Sequence, residues 1–499
     1  MKDMNKFFTY ILLLCSISVT LSSCDKWLEA TSSTQLPADK LFETKSGFYD
    51  ALTGVYISLG DFDCYGGSYT WKVNDLAAFP YSYQNSSVYE PWQKHQYTSV
   101  DAKRTVKAMW SQGYSTIANI NMVLRELESH RDVIAYEEEY NLIKGELLGL
   151  RAMVHFDMIR MFGVADWNGA NADKLTIPYV RKYDKEPEIQ RTYRETELLI
   201  LQDIEEAIVC LQRDPATGKA DPKFETAANI EGYWDNRAKH MNYYAVNALA
   251  AKFWQWKDDT NKASTYAQKV IDGAFGQKFV DWVDIDQLLI GSNDNQKDWT
   301  FSSEHLFSLE VTGLYDVVNS YIASFASTSG IRLSPDLVET LLFPQVDPVT
   351  GSVSGGEDVR GPAFLLKYDI LGYSCHKLYG SSSYVEKYRN RVPMIKISEM
   401  YYIMAEHYIT QGNPQKALEM LDIVRGHRGI SENLSPDCDA QKELMMEYYR
   451  EFMFEGQLFY WLKHNDISSS IWKPFSVNAD NLIYPYPNEE VNYGRKQEL

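Results

Sequence analysis

One helix pair in the C-terminal third of the chain sets the strongest limit on its fold. Over residues 397–408, apolar side chains recur at three- and four-residue steps, which places them on one face of a helix. Gly412, Asn413 and Pro414 then supply in turn a helix end, a side-chain cap and a first helical residue. Residues 417–424 repeat the apolar face. The two helices predict a tetratricopeptide-type pair of about 34 residues, which needs neighbouring pairs to bury its apolar face.

The rest of the chain offers such neighbours, separated by long irregular segments. Helical periodicity predicts helices over 41–59, 109–127, 137–162, 192–211, 240–256, 262–271 and 440–463. Thr192 and Glu195 have the spacing of a capping box at the start of one of these helices. The segments 60–98, 164–191, 212–238 and 275–392 lack a sustained helical period. We therefore expect a mostly α fold, in which tetratricopeptide-like helix pairs form one scaffold and the insertions form a second, loop-rich lobe.

Composition and charge exclude some classes of partner and site. A chain of 499 residues that is 45% hydrophobic can bury a large core. Its net charge of −19 argues against nucleic acid as a partner, because nucleic-acid binding needs a basic surface. The cysteines beyond the N-terminal segment are widely separated and lack the spacing of metal ligands; they are Cys64, Cys210, Cys375 and Cys438. We predict neither a metal site nor a cofactor.

The N-terminal segment has the features of an export signal. Lys2 and Lys6 precede a short apolar run, which ends in Leu21-Ser22-Ser23-Cys24. That ending resembles the bacterial lipobox, in which the cysteine becomes the lipidated first residue of the mature protein. We therefore expect residues 1–23 to be removed and Cys24 to carry a lipid anchor to a membrane. No other segment of the sequence is apolar enough to span a bilayer.

Six motifs follow one another along the mature chain. They are Cys24-Asp-Lys-Trp-Leu-Glu, the run Phe42 to Tyr56, Trp110-Ser-Gln-Gly-Tyr-Ser-Thr-Ile-Ala-Asn, the run Gly145 to Gly163, the run Met394 to Gly429 and Tyr484-Pro-Tyr-Pro-Asn-Glu-Glu. In this order they resemble the SusD/RagB family of surface nutrient-binding lipoproteins. The chain departs from the family pattern at Leu458 and Trp461, where the family usually has Arg and Asp. This departure leaves the subfamily, and with it the ligand, open.

The resemblance implies both an architecture and a role. It implies a SusD-like α/α superhelix on four tetratricopeptide units, with an N-terminal region 24–230 and a C-terminal region 231–499 packed as one unit. It also implies a position on the outer face of the outer membrane, as a lid on a SusC-like TonB-dependent transporter. Family members capture oligosaccharides, or in some cases peptides, for uptake through the transporter. No catalytic residue is expected.

Aromatic residues in the first irregular segment form the first candidate ligand site. Sugar rings pack their C–H faces on Trp and Tyr, while Asn and Asp bind the hydroxyl groups. Residues of these types lie close together in the sequence, and we predict a glycan-binding cluster of Trp71, Asn74, Asp75, Tyr81, Tyr83 and Trp92. The alternative is that the same residues pack a long loop against the scaffold.

A second candidate cluster lies in the later insertion. The resemblance places a stacking aromatic in this part of the chain, and the candidates there are Trp282, Trp299, Tyr315 and Tyr321. Local packing is again the alternative for each of them. The two clusters together make up the predicted glycan-binding surface.

Three other functions are compatible with parts of the sequence. A peptide-capturing member of the same family would also use scattered aromatics. A tetratricopeptide scaffold that recruits proteins would have back-to-back repeats with short turns, which the aromatic insertions speak against. A lipoprotein glycosidase would need two carboxyl groups facing each other at about 5–10 Å across a cleft. Glu399 with Glu406, and Glu451 with Glu455, share helix faces, but such spacings also arise by chance in a chain this acidic.

Overall fold

The structure is a computed structural model. It describes residues 38–83, 88–229, 231–289, 297–322, 331–344, 358–367, 372–378, 388, 390–467 and 477–496. The predicted lipidation site, Cys24, and the predicted signal segment 1–23 lie outside the described residues. Cys64, Cys210, Cys375 and Cys438 are free thiols. Within these ranges, no helix combines the length and the apolar character needed to cross a membrane.

Eleven helices carry most of the packing among the described residues. They are α1 (Lys45–Leu59), α2 (Val100–Ser129), α3 (Glu137–Phe162), α4 (Tyr193–Cys210), α5 (Tyr243–Trp256), α6 (Thr260–Gly276), α7 (Ile397–Thr410), α8 (Pro414–Gly426), α9 (Ala440–Glu451), α10 (Gln457–His464) and α11 (Asn488–Tyr493). Further helical segments lie at Ala38–Leu41, Val73–Ala78, Glu90–Gln93, Phe224–Ala227, Ile285–Leu289, Leu314–Ile322, Pro335–Leu337, Val338–Leu342 and Arg360–Phe364.

The helices α1 to α9 pack in chain order, each against the next. Such stacking buries an apolar stripe that no single pair could bury alone. The predicted caps are present: Asn413 accepts the N–H of Lys416, and Gly412 has a φ of +69°. The Thr192 hydroxyl and the Glu195 carboxylate complete the predicted capping box. The predicted mostly α scaffold is therefore confirmed.

Three small sheets join distant parts of the chain. Strands β1 (Leu175–Pro178), β2 (Ile189–Thr192) and β7 (Arg495–Lys496) form one sheet, in which β2 pairs antiparallel with β1 and parallel with β7. Strand β3 (His305–Glu310) pairs antiparallel with β6 (Arg391–Lys396), and β4 (Leu365–Lys367) with β5 (Tyr373–Cys375). The sequence pattern predicts none of these strands, because each is short and pairs with residues remote in sequence.

Buried ion pairs connect the loop-rich insertion to the scaffold. Arg428, just after α8, donates to both carboxylate oxygens of Glu304 at 2.7 Å and also binds Glu451 at 2.8 Å. Lys396, the last residue of β6, donates to Glu451 at 2.9 Å. Arg360 binds Glu447 of α9 at 2.8 Å. All six side chains are almost fully withdrawn from solvent. The insertion is thus held to α8 and α9 by charges that have no access to water.

The long helix predicted over 440–463 is wrong, because the chain turns between α9 and α10. Phe454 has a φ of +65° and Gly456 a φ of +74°. A Cβ atom on Gly456 would lie 2.5 Å from the backbone oxygen of Thr70, so only glycine fits this close approach. The apolar period continues across the turn, which explains the error.

The C-terminal residues complete the core of the N-terminal half. The Lys463 amine donates to the backbone oxygens of Arg160 and Gly163, at 2.6 and 2.7 Å, at the end of α3. The backbone N–H of Tyr484 donates to the oxygen of Met161 at 3.0 Å. Burial lowers the pKa of the Lys463 amine well below its usual value. Lys463 and Tyr484 are therefore both packed against the end of α3.

Candidate ligand-binding site

The structure places Trp71 in the core. Its side chain is only 1% exposed, and its indole N–H donates to the backbone oxygen of Gly66 at 2.9 Å. The ring lies 5.6 Å from the ring of Phe454 and 5.9 Å from that of Phe62. With both its faces and its polar atom engaged, Trp71 presents no stacking surface to a ligand.

Asn74 is also buried, and its amide joins remote parts of the chain. It donates to the Tyr69 backbone oxygen at 2.9 Å and to the Tyr460 hydroxyl at 3.1 Å. Its own oxygen accepts from the Tyr484 hydroxyl at 2.9 Å. These partners use the hydrogen-bonding capacity that a sugar hydroxyl would need.

Asp75, like Asn74, is buried and forms hydrogen bonds with remote parts of the chain. One carboxylate oxygen accepts from the Tyr81 hydroxyl, and the other accepts the backbone N–H groups of Phe454 at 2.9 Å and Gly456 at 3.4 Å. Burial raises the pKa of this carboxyl to about 7, against the lowering effect of those hydrogen bonds. Asp75 therefore holds the turn between α9 and α10 and does not face solvent.

The remaining members of the first cluster divide between core and surface. Trp92 is 3% exposed and packs against Tyr97 and Tyr484, and Tyr81 is 7% exposed. Tyr83 is half-buried, with its ring 6.5 Å from that of Tyr89. The prediction of an open platform is therefore corrected for Trp71, Asn74, Asp75, Tyr81 and Trp92, since burial removes their faces and polar atoms from solvent. Tyr83 alone keeps partial exposure.

The second cluster is only partly buried, but Trp282 is engaged in packing. Its ring stacks on His427 at 4.3 Å and lies 5.5 Å from both Phe275 and Tyr401. Contacts on several sides make it part of the junction between α6, α7 and α8. The prediction of a ligand-stacking face is thus corrected for Trp282 as well.

Trp299 and Tyr315 are half-buried and keep part of their surface open. The Trp299 ring lies 6.0 Å from that of His376. Tyr321 belongs to the helix Leu314–Ile322, and its side chain lies outside the described residues.

Backbone pairing links the segment beside Tyr83 to the strand that leads toward Trp299. Ser82 pairs with Arg332 through hydrogen bonds of 2.7 and 2.8 Å, and the next residue, Leu333, pairs with Tyr373. Tyr373 begins β5, which leads to His376 beside Trp299. We call this region, with Tyr83 on one side and Trp299 on the other, the lobe junction. It combines half-buried aromatic rings with a paired backbone frame, an arrangement that suits the binding of a ligand.

The carboxylates that share helix faces are committed to structural partners. Glu451 and Glu455 bind Lys396, each at 2.9 Å. Glu399 pairs with Lys252 at 2.5 Å, and Glu406 accepts from Gln255 at 2.7 Å. All four are buried, so they cannot flank a bond in an open cleft. Among the described residues, no group of three or more His, Cys, Asp or Glu side chains could hold a metal ion.

The sequence pattern missed a groove at the C-terminal tail. A cavity of about 570 Å³ lies between α2, the segment 184–188 and α11. Its lining includes Trp110, Tyr114 and Tyr493. In the sequence, Trp110 and Tyr114 stand out only as part of a family motif. The sequence pattern predicts no role for Tyr493. A tyrosine among the charged and polar residues of the tail is the one sequence signal that could have indicated this groove.

Two family models match the chain, one at each end. A model described as "Starch-binding associating with outer membrane" matches residues 26–229, and a model described as "SusD family" matches residues 362–498. Together the two ranges take in more than half of the sequence. No curated protein matches the chain.

Solved structures with the same architecture cover almost the whole chain. A SusD superfamily protein of Bacteroides thetaiotaomicron is 18% identical, with a TM-score of 0.70, over 91% of this chain and 99% of that chain. A SusD superfamily protein of Bacteroides fragilis is 18% identical, with a TM-score of 0.67, over 91% and 99%. A SusD-like carbohydrate-binding protein of Bacteroides vulgatus is 14% identical, with a TM-score of 0.65, over 90% and 96%. These likenesses establish the fold.

Proposed function

The chain belongs to the SusD/RagB family, and from this membership we propose that it captures oligosaccharides at the cell surface. In this proposal it is a lipoprotein without catalytic activity. It delivers its ligand to a partner SusC-like TonB-dependent transporter, on which it acts as a lid. The mature protein begins at Cys24, which carries the lipid, and its regions 24–230 and 231–499 act as one unit.

One observation carries the proposal. The N-terminal family model, which is described as starch-binding, ends before the loop-rich insertion, and the C-terminal model begins inside it. The insertion meets the N-terminal region at the lobe junction, where Tyr83 and Trp299 keep part of their rings exposed. Partly exposed rings on a fixed frame suit the flat C–H faces of a sugar. We therefore propose the lobe junction as the primary glycan site, with Tyr315 and Tyr321 as further candidates.

Several hydrogen bonds across residue 230 support the single-unit proposal. The Asn74 amide reaches the Tyr460 hydroxyl, and the Asp75 carboxylate accepts from the Phe454 N–H. The Lys463 amine binds the end of α3. A ligand bound at the lobe junction would therefore touch a body that moves as a whole, as a lid requires.

Calorimetric titration of the soluble chain without Cys24 tests the binding proposal. The titrants are neutral oligosaccharides and, separately, oligopeptides. The variants are Tyr83→Ala and Trp299→Ala, and the matched control is Tyr266→Ala, a half-buried tyrosine of α6. Oligosaccharide binding that weakens at least tenfold in either lobe variant, and stays unchanged in the control, supports the proposal. Binding of peptides alone would assign the chain to the peptide-capturing branch, and new reaction products on chromatography would assign it to a glycosidase.

Cell-based measurements test the anchor, the orientation and the partner. Labelling with a fatty-acid analogue should mark the wild-type chain and leave Cys24→Ala unmarked. Protease treatment of intact cells should degrade the protein if it faces outward, and protection would contradict that orientation. Affinity purification from detergent-solubilised outer membranes should recover a TonB-dependent barrel with it. Recovery without such a barrel would contradict the lid role.

A further inference from the structure

The groove at the C-terminal tail has the dimensions and the walls of a ligand site. Its volume of about 570 Å³ falls within the range of about 300–1,000 Å³ that is usual for small-molecule sites. One wall is the face of α2 that carries Lys107, Trp110 and Tyr114. The opposite wall is formed by α11 and the residues that lead into β7. We call this cavity the tail groove.

One aromatic ring of the tail groove is open to a ligand, and a second, buried ring contributes only its indole N–H. Tyr493, at the end of α11, is 81% exposed, although large aromatic side chains are usually withdrawn from water. Trp110 is 8% exposed and packs edge-on against Phe162 and Tyr486. Its indole N–H has no hydrogen-bond partner among the described residues, and it is not among the atoms sealed in the core. The groove therefore offers one open ring and one unused donor.

Carboxylates supply the hydrogen-bond acceptors. Glu490 is half-buried in the lining, and it is held in place because its Oε1 atom accepts from the Gln190 amide at 2.6 Å. Its other oxygen has no partner among the described residues. Glu489 forms an ion pair with Lys107 across the groove. A fixed carboxylate with a spare oxygen is well suited to accept hydrogen bonds from hydroxyl groups.

The balance of charge selects the class of ligand. Five acidic residues line the groove, and they are Asp184, Glu186, Glu188, Glu489 and Glu490. Three basic residues line it, and they are Lys107, Lys185 and Arg495. This excess of negative charge disfavours anionic ligands such as sulfated or uronic-acid chains. The strongly acidic net charge of the whole protein acts in the same direction. Open aromatic surface, an indole donor and carboxylate acceptors together match a neutral, hydroxyl-rich ligand.

We propose that the tail groove is a second binding site for neutral oligosaccharide, separate from the lobe junction. The Tyr493 ring packs on a sugar face, the Trp110 N–H donates to a hydroxyl oxygen, and Glu490 accepts from a hydroxyl group. The inference rests on the proposed function, because it takes its ligand class from glycan capture. A second site would hold one part of a long glycan while the lobe junction holds another, and so raise the overall affinity through a local effective concentration.

The test uses the soluble chain without Cys24 and four variants. Tyr493→Ala is the principal variant, because an exposed side chain can be removed without loss of the fold. Glu490→Gln keeps the shape of that side chain and removes its charge. Val491→Ala is the matched control, since Val491 lies on the same helix, is 55% exposed and does not line the groove. Tyr83→Ala reports on the lobe junction.

Calorimetric titration with neutral oligosaccharides should give two sites per chain in the wild type. Tyr493→Ala should remove or weaken one of them at least tenfold, and Glu490→Gln should weaken the same site. Tyr83→Ala should affect only the other site, and Val491→Ala neither. A crystal structure with bound oligosaccharide should show the sugar against Tyr493.

The possible failures are distinguishable. Binding at one site, lost in Tyr83→Ala and unchanged in Tyr493→Ala, would overturn the second site and leave the proposed function intact. Binding at one site that is lost only in Tyr493→Ala would support the tail groove and overturn the proposal of a glycan site at the lobe junction. No glycan binding by the wild type would overturn both proposals. Peptide binding that Tyr493→Ala abolishes, without glycan binding, would overturn the assignment of the ligand class.

Discussion

The Asp75 carboxylate accepts the backbone N–H of Phe454 at 2.9 Å, across 379 residues of sequence. Phe454 is a non-glycine residue with a φ of +65°, a conformation that costs free energy unless its surroundings hold it. The same carboxylate oxygen accepts the N–H of Gly456. One buried acid of the N-terminal region therefore fixes the turn that separates α9 from α10.

This arrangement makes stability depend on pH in a specific direction. Burial raises the pKa of the folded Asp75 carboxyl to about 7, above the value of about 3.8 for an unperturbed group. Its stabilising contribution is therefore complete below about pH 4 and decreases as the pH rises from about 4 to 7. We expect Asp75→Asn, which keeps an acceptor for Phe454 and carries no charge, to remove that part of the pH dependence.

Urea unfolding of both proteins at several pH values measures the effect. The difference in the free energy of unfolding between Asp75→Asn and the wild type should shift in favour of the variant between about pH 4 and pH 7. A constant difference across that range would contradict a raised pKa for Asp75. Asp50→Asn, which changes a carboxylate on the exposed side of α1, is the control.

The buried ion pairs that join the insertion to the scaffold predict a large loss of stability in Arg428→Met. Without the guanidinium, Glu304 and Glu451 lose their bidentate partner in a site with no access to water. Removal of one partner from a buried pair costs about 3–5 kcal/mol. Urea unfolding measures this cost, and the exposed pair of Arg104 with Asp101 provides the control. Arg104→Ala should change stability by less than about 1 kcal/mol; equal losses in the two variants would contradict the special role of the buried pair.

Gly456→Ala should destabilise the protein by at least about 1–3 kcal/mol, because the site combines a left-handed backbone with close contact to Thr70. Gly276→Ala is the matched control. Gly276 ends α6, no atom lies within 4 Å of the position of its added Cβ, and its φ is not positive. Thermal unfolding should show a lower midpoint for Gly456→Ala and an unchanged or slightly higher one for Gly276→Ala. Similar midpoints for the two variants would contradict the conclusion that the turn requires glycine at position 456.

Thr192→Ala should cost about 0.5–2 kcal/mol, since it removes the hydroxyl that accepts the Glu195 N–H at 3.2 Å in the capping box of α4. Thr265→Ala, at an exposed position inside α6, changes the same side chain without a cap. Chemical denaturation of the two variants should separate them. If Thr265→Ala proved the more damaging, the capping box would not explain the start of α4.

The scaffold was predictable from sequence because its signals are local. The period of residues 397–408, the cap at Asn413 and the pair of Thr192 with Glu195 all lie within one or two helical turns, and the structure confirms each of them. The division of 440–463 into two helices depends on Thr70, which a local pattern does not contain.

The prediction of the first cluster was wrong for the same reason, because the partners of its residues lie far away in the sequence. A Trp, an Asn and an Asp in an irregular segment have the same composition whether they face a ligand or the core. Asn74 finds Tyr460 and Tyr484, and Asp75 finds Phe454, all from the far end of the chain. Only the folded arrangement shows that these groups are already used. Tyr83, Trp299 and Tyr315 stay candidates because part of each ring is open.

The packing of C-terminal residues against α3 also bears on the order of folding events. Asn74, Asp75 and the end of α3 receive their partners from Phe454, Lys463 and Tyr484, which are remote in sequence. The N-terminal helices can form from local contacts, but their core closes only when these remote residues dock. Such dependence on contacts between residues far apart in sequence is typical of slowly folding proteins.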